Sequence, residues 1–463
     1  MKKLIIYSCC CWLLLSTGCA KSFLEVKSTS GDETPRTIAH YQALLDDAHR
    51  TMNRFSSSVL GMVGGDELFV ENSVLATFSP YHMRNAYTWK KDNFWENEQS
   101  EDWNYGYRRI LFANMALEGI EKLKPEFGEQ DAWNNVKGSA HFYRAISYYE
   151  LAQLFCPAYD AAKAANQLGL PLRTDPDITL NVGRSSLEKT YQLILDDLKE
   201  AEKLVPQTPL VFTRPAIPAI HALRARVYLQ MRNYEEALNE ARLCLQARNE
   251  LLDLNTYTDP GEGNELFAEY WEVSHLHPEV IYYHTSGAVY IATYAYYHYA
   301  SPELLASYES GDLRGARYFG MFNGLKYFRG TYNGSTKFTG LAVDEVVLIQ
   351  AECEARVGTV TESLRLLNRL RRNRIASDVY AELQSSDRST VTRWVLEERR
   401  RELVFRGTRW PDICRLNAEG TYSVTIERNI DGEIIQLNPG DPRFVWPLPP
   451  NVVELGGIEQ NPR

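Results

Sequence analysis

The sequence predicts a mostly α-helical protein, with a scaffold of about four helix pairs interrupted by irregular segments dense in aromatic rings. Three observations carry that expectation. Segments such as AHFYRAISYYELAQLF and IHALRARVYLQMRNYEEALNEARLCLQ repeat apolar residues three and four apart, the mark of one buried helix face. Small residues recur inside them where the two helices of a pair would have to touch. Residues 61–103 and 255–341 lose the helical period and concentrate tyrosine, tryptophan and phenylalanine.

Composition sets the outer bounds. At 463 residues and 44% hydrophobic, the chain is long enough for one large or two ordinary domains. A net charge of -10 argues against a nucleic-acid backbone as partner. Aromatic content is high and the 28 tyrosines contribute most to it; a core needs some of them, and a carbohydrate- or peptide-binding surface would also use them.

The N-terminus reads as a targeting segment. Lys2 and Lys3 precede the short apolar run Leu4 to Leu15, which is too short to span a bilayer. Leu15-Ser16-Thr17-Gly18-Cys19 then looks like a bacterial lipobox. Residues 1–18 are expected to be a signal peptide, Cys19 the lipidated residue, and 19–36 a polar tether, leaving 37–463 as one domain. Cys156, Cys244, Cys353 and Cys414 remain, far apart and without C-x-x-C spacing. A buried small hydrophobe is the expected role, with neither a disulfide nor a metal site supported.

Helix signals begin near Thr37, with Ile38, Tyr41, Leu44, Leu45 and Ala48 on one face. After the irregular stretch 61–103, helical pattern returns at Trp103. The helix pairs are expected near 107–156, 187–204, 217–248 and 342–372. In the third, Ala225, Tyr228, Tyr234 and Ala237 fall where a tetratricopeptide repeat places small, aromatic, aromatic and small residues. Ala351, Glu354, Val360 and Ser363 are the counterparts in the fourth. A missing side chain lets two helices nest, and no pair buries its apolar face alone. In the second irregular stretch, EVIYYHTS suggests a short strand. His275 and His277 are expected to be a solvated pair, since no third ligand is in view.

Near the C-terminus, Val395 to Leu416 begins as a charged helix whose Glu397–Arg401 and Glu402–Arg406 pairs can meet on a solvated face. The helix is expected to stop at Gly407, with Pro411 opposing continuation. The string Gly407, Arg409, Trp410, Asp412 and Arg415 resembles the C-terminal signature of the SusD/RagB family. So do the Lys21-Ser22-Phe23-Leu24-Glu25 start and the FVWPLPPNVVELGGIEQNP close. Arg406 departs from the family pattern, which usually carries an acid there, and this withdraws one expected buried ion pair.

No G-x-S-x-G, H-E-x-x-H, Walker loop or dinucleotide fingerprint occurs, and no enzyme is expected. The resemblance implies a SusD-like fold in which the insertions form the ligand face and the helix pairs the scaffold. It implies an outer-membrane lipoprotein of a Bacteroidetes-type bacterium that captures a glycan and delivers it to a SusC-like TonB-dependent transporter. Carried over by location, Trp89, Trp95, Trp271, Tyr283 and Tyr296 are the expected stacking rings and Asp66 the hydrogen-bonding acid. No cofactor is expected, and a structural ion is left open. Peptide capture, as in the RagB branch, is the alternative within the family. A protein-binding tetratricopeptide scaffold is the alternative outside it.

Overall fold

The computed structural model describes residues 35–463 apart from 78, 262–263, 265, 268–276, 287–298 and 333–335. Helix α1 (Ile38–Leu45) starts where Thr37 Oγ1 accepts from the His40 amide at 3.2 Å, a side-chain cap for an otherwise orphaned donor. Residues 61–103 are not featureless. They hold most of α2 (Val59–Gly64), then β1 (Leu68–Phe69), α3 (Asn72–Leu75) and α4 (Tyr81–Tyr87). These helices are too short to show a period, which is why the pattern broke there. Every residue of α2 is buried. Its first turn is capped from outside, by Asp102 accepting from Val59 N at 3.1 Å and Leu60 N at 2.9 Å.

The scaffold follows. Helix α5 (Glu101–Glu121) packs on α6 (Gln130–Phe155). The β2 (Leu168–Pro171) and β3 (Arg184–Ser186) pair then leads into α7 (Leu187–Glu202), which also packs on α6. Helices α8 (Ile217–Gln230) and α9 (Tyr234–Ala247) form a hairpin turned at Met231-Arg232-Asn233. Ala225 and Ala237 are fully buried.

The second insertion contributes β4 (Val280–Tyr282), β5 (Tyr299–Ala300), α10 (Pro302–Ala306), α11 (Leu313–Arg317), β6 (Phe319–Phe322), β7 (Leu325–Phe328) and β8 (Leu341–Ala342). EVIYYHTS does supply a strand. His277 is not solvated, however; it is fully buried and stacks on Tyr332 at 4.1 Å. His275 lies outside the described residues.

Helices α12 (Val343–Arg356) and α13 (Val360–Arg372) form the last pair, where Ser363 Oγ donates to Ala351 O at 2.7 Å. Helix α14 (Arg388–Glu402) lies on both. It ends at Glu402, short of Gly407, and Pro411 opens α15 (Arg409–Glu419) rather than opposing it. Proline is tolerated there because a first-turn N–H has no helical acceptor to lose. The β9 (Ile426–Ile430) and β10 (Glu433–Leu437) hairpin and α16 (Pro450–Gly456) close the chain.

The charged run is not a solvated face. Glu398, Arg399 and Glu402 are at most 4% exposed. Glu402 meets Arg314 at 2.7 Å and Arg374 at 2.7 Å rather than Arg406, and Arg401 meets Glu398 rather than Glu397. Arg406 is itself buried and reaches Asp344 at 3.1 Å. Arg415 grips Glu352 through both terminal nitrogens at 2.7 Å and Asp412 through Nε at 2.8 Å. The string therefore ties α14, α15 and α12 together through buried ion pairs, the condition under which such charges are tolerated.

Helix α2 meets the C-terminal region in the core. Trp410 stacks on Trp446 at 4.8 Å, and both lie against α2. A Cβ on Gly64 would run into the Trp446 ring, so this helix approaches only because glycine stands there.

Candidate functional site

The two insertions build one sheet. Strand β1 of the first pairs antiparallel with β5 of the second, Leu68 opposite Ala300 and Phe69 opposite Tyr299, and β7 and β6 extend it in the order β1-β5-β7-β6. Ser301 fastens the junction, its amide donating to Glu67 O and its hydroxyl to Asp66 O, each at 2.8 Å.

An open cleft of about 630 Å³ lies at this junction. Asp66, Phe69, Glu303, Arg400 and Arg409 line it, with β9 along one side. Asp66 accepts from Arg409 in a two-pronged pair, Oδ1 to Nε and Oδ2 to Nη2, both at 2.7 Å. Arg400 Nη2 stands 3.2 Å from Oδ2. Burial alone would raise the Asp66 pKa, but the two guanidiniums outweigh it and hold the carboxyl down at about 2. Glu67 has the opposite fate: burial, reinforced by the Asp66 charge, pushes it up to about 8. Adjacent acids thus present a fixed anion to the cleft and a neutral carboxyl to the interior at neutral pH.

Arg428 positions this arrangement. Its guanidinium lies 3.6 Å from the Tyr87 ring centre and 4.6 Å from that of Trp89, and donates to Val63 O at 3.0 Å and Gly65 O at 2.5 Å. It thereby holds the backbone that carries Asp66. Burial lowers its pKa to about 10, so it remains a cation. Sequence reasoning passed over Arg428 and its hairpin. The signal was present, since Asp431-Gly432, both at positive φ, is the two-residue turn that hairpins favour.

The candidate residues named from sequence separate clearly. Asp66 lines the cleft. Trp89 does not: it is fully buried, and its indole N–H donates to Gly64 O at 2.9 Å. Trp95 is 3% exposed, with its N–H shared between Pro447 O and Leu448 O at 3.2 and 3.1 Å. Both rings are core, because irregular backbone leaves gaps that only large flat side chains fill. Tyr283 is half-buried beside Phe338, its amide donating to Phe212 O at 2.7 Å, and it is outside the lining of the cleft. Trp271, Tyr296 and Cys19 lie outside the described residues.

Other concave regions are less apt. At a second hollow, Tyr105 stacks on Phe55 at 4.0 Å, but Arg54 and Arg108 cover the outer faces of the two rings. No face is left for a ligand to stack on. Carboxylates of Glu279, Asp344 and Glu402 converge in the interior within 4.8 Å of one another, as a metal site would require. Arg374, Arg406 and the Tyr332 hydroxyl already serve them. Cys156, Cys244, Cys353 and Cys414 carry free thiols. Among the described residues, no helix is long and apolar enough to cross a membrane.

Comparison with known proteins supplies the relationship. Residues 22–229 match a SusD-like family described as starch-binding and associating with the outer membrane, and residues 281–462 match the SusD family. SusD-like protein P38 of Formosa agariphila is 23% identical over 420 residues, which covers 75% of this chain and 76% of that one. SusD-like protein P2 of the same organism is 25% identical over 379 residues, covering 68% and 71%. Among solved structures, a putative sugar binding protein from Bacteroides vulgatus superposes with a TM-score of 0.72 at 19% identity, covering 93% of this chain and 99% of its own. A SusD superfamily protein from Bacteroides thetaiotaomicron does so with a TM-score of 0.71 at 22% identity, covering 92% and 100%. These superpositions extend the mostly helical architecture over nearly the whole chain. On both halves of its sequence and on its fold, the chain belongs to the SusD family.

Proposed function

We propose that this chain is a non-catalytic cell-surface lipoprotein, anchored through Cys19, that captures a glycan and hands it to a SusC-like TonB-dependent outer-membrane transporter. The observation that supports the reading is the cleft where the two insertions meet. It combines what a sugar asks for: a part-exposed ring, Phe69, for apolar C–H faces, and the ionised Asp66 clamp with Glu303 for hydroxyls. Hydrogen bonds to ionised groups are roughly twice as strong as neutral ones, so few are needed to orient a ligand. The role requires no bond chemistry. Residues 1–18 would be removed as signal peptide, and 19–36 would let the domain 37–463 swing over the transporter.

The test is titration calorimetry of the chain beginning after Cys19 against starch-type and other oligosaccharides and a peptide digest. Saturable heat with one glycan class, lost in Asp66→Asn at an unchanged fold, supports the reading. Heat with peptides alone moves the protein to peptide capture, and heat with neither removes the cleft from consideration. For the anchor, Cys19→Ala expressed without a transporter should leave the membrane fraction.

A further inference from the structure

Behind the Gly407 turn, α6, α8, α14 and the 56–58 segment enclose a polar cavity of about 30 Å³. Three arginines, Arg226, Arg399 and Arg406, reach its lining. Arg226 is spent on Glu345 and Gly340 O. Arg399, 2% exposed, gives Nε to Asp412 at 2.7 Å, and its Nη2 stands 3.6 Å from Glu345 Oε1, beyond hydrogen-bond reach; neither Nη1 nor Nη2 has a hydrogen-bond acceptor among the described residues. Arg406, 6% exposed, reaches Asp344 with Nη1 and lies 4.8 and 4.6 Å from the Tyr332 and Phe338 ring centres, while its Nε and Nη2 likewise have no hydrogen-bond acceptor among the described residues. Glu150 is the one carboxylate in the lining, and it is committed to Arg109 at 2.7 Å and Ser57 N at 3.0 Å.

Four buried N–H-bearing nitrogens on two cations cannot be left so. An unsatisfied buried donor carries its full desolvation penalty, more when charged, and native interiors seldom retain one. We propose that the cavity is a monatomic-anion site, in which a chloride accepts from Arg399 and Arg406 together. Size selects the class. The volume corresponds to roughly one or two water positions, too little for the five heavy atoms of sulfate or phosphate. Charge selects it over water, since the four guanidinium nitrogens ask for an acceptor and a water would bring two donors of its own. Arg406 stands where the family usually carries an acid, so this chain has placed a cation at the cavity wall. The anion would brace the turn leading to Arg409, yet the site stands apart from the cleft and does not depend on the glycan reading.

Crystals of the wild-type chain grown in sodium bromide decide the matter. The expected result is an anomalous peak in the cavity within hydrogen-bond reach of Arg399 and Arg406; solvent density without anomalous signal overturns the proposal. Melting offers a second reading at constant sodium, with chloride replaced by gluconate, which cannot enter. Chloride should raise Tm saturably, by about 3 °C at a hundred times its Kd, and an identical Tm in the two salts also overturns it. In Arg406→Gln, both the peak and the shift should disappear.

Discussion

Trp89→Ala separates a ligand-stacking ring from a core ring more sharply than any other single change. The wild-type indole has no exposed surface, and its N–H satisfies Gly64 O. Truncating such a ring costs about 3–5 kcal/mol in transfer and cavity terms. The orphaned carbonyl adds about 1 kcal/mol. Unfolding entropy near 60 °C is roughly 2.1 cal/mol/K per residue, or about 1.0 kcal/mol/K for a chain of 463 residues. The loss therefore lowers Tm by about 4–6 °C, readable by scanning calorimetry. Arg428 loses one of the rings it lies over, so any weakening of glycan binding should accompany the fall in Tm. A variant with unchanged Tm and abolished glycan binding would refute this reasoning and restore Trp89 as a stacking surface.

Four further outcomes follow from the same geometry. Glu67 has its native pKa raised to about 8 from an ordinary 4.5, so the native state keeps a proton that the unfolded chain releases, and stability declines as pH rises through that window. Glu67→Gln should flatten the decline, matching wild type near pH 4 and exceeding it near pH 8 in urea midpoints. Asp66, Glu150 and Glu398 are each held at about 2. Their stabilisation is present above the unfolded pKa near 4 and is lost as pH falls through about 2, so acid melts should steepen there. Gly64→Ala pushes a methyl into the Trp446 ring and should cost at least the ~1–3 kcal/mol of an overpacked core, measurable as a lower Tm. Glu352→Ala strands Arg415 and Arg356 without their shared carboxylate and should cost about 3–5 kcal/mol by urea unfolding.

The helix pairs were legible because periodicity and small residues act locally. Ala225, Ala237, Ala351 and Ser363 all lie buried within the pairs read from sequence. The Val395–Leu416 string identified the family, yet its physics was misread. Its charges looked like a solvent face because their partners, Arg314, Arg374, Asp344 and Glu352, come from distant segments, and sequence spacing cannot show that. The rings failed in the same way. Trp89 and Trp95 stood among glycines and polar residues, but burial depends on what packs over them, and Pro447 and Leu448 are some 350 residues away in sequence. Asp66 was named from its place in the first insertion and lies at the cleft; the turn after Arg428 marked a hairpin, but nothing local marks a cation that stacks on Tyr87. Even the strand pairing that joins the insertions, β1 with β5, is two residues long.

The central claim is that the cleft joining the two insertions binds a glycan, and calorimetry on Phe69→Ala beside wild type tests it most directly. Phe69 is part-exposed at the cleft, so its loss should leave the fold intact. The account predicts saturable binding of one oligosaccharide class by wild type, weakened at least tenfold in Phe69→Ala at a Tm within about 1 °C, the small shift expected of a substitution near the surface. Glycan binding of equal strength in both proteins would contradict it and place the ligand elsewhere on the molecule.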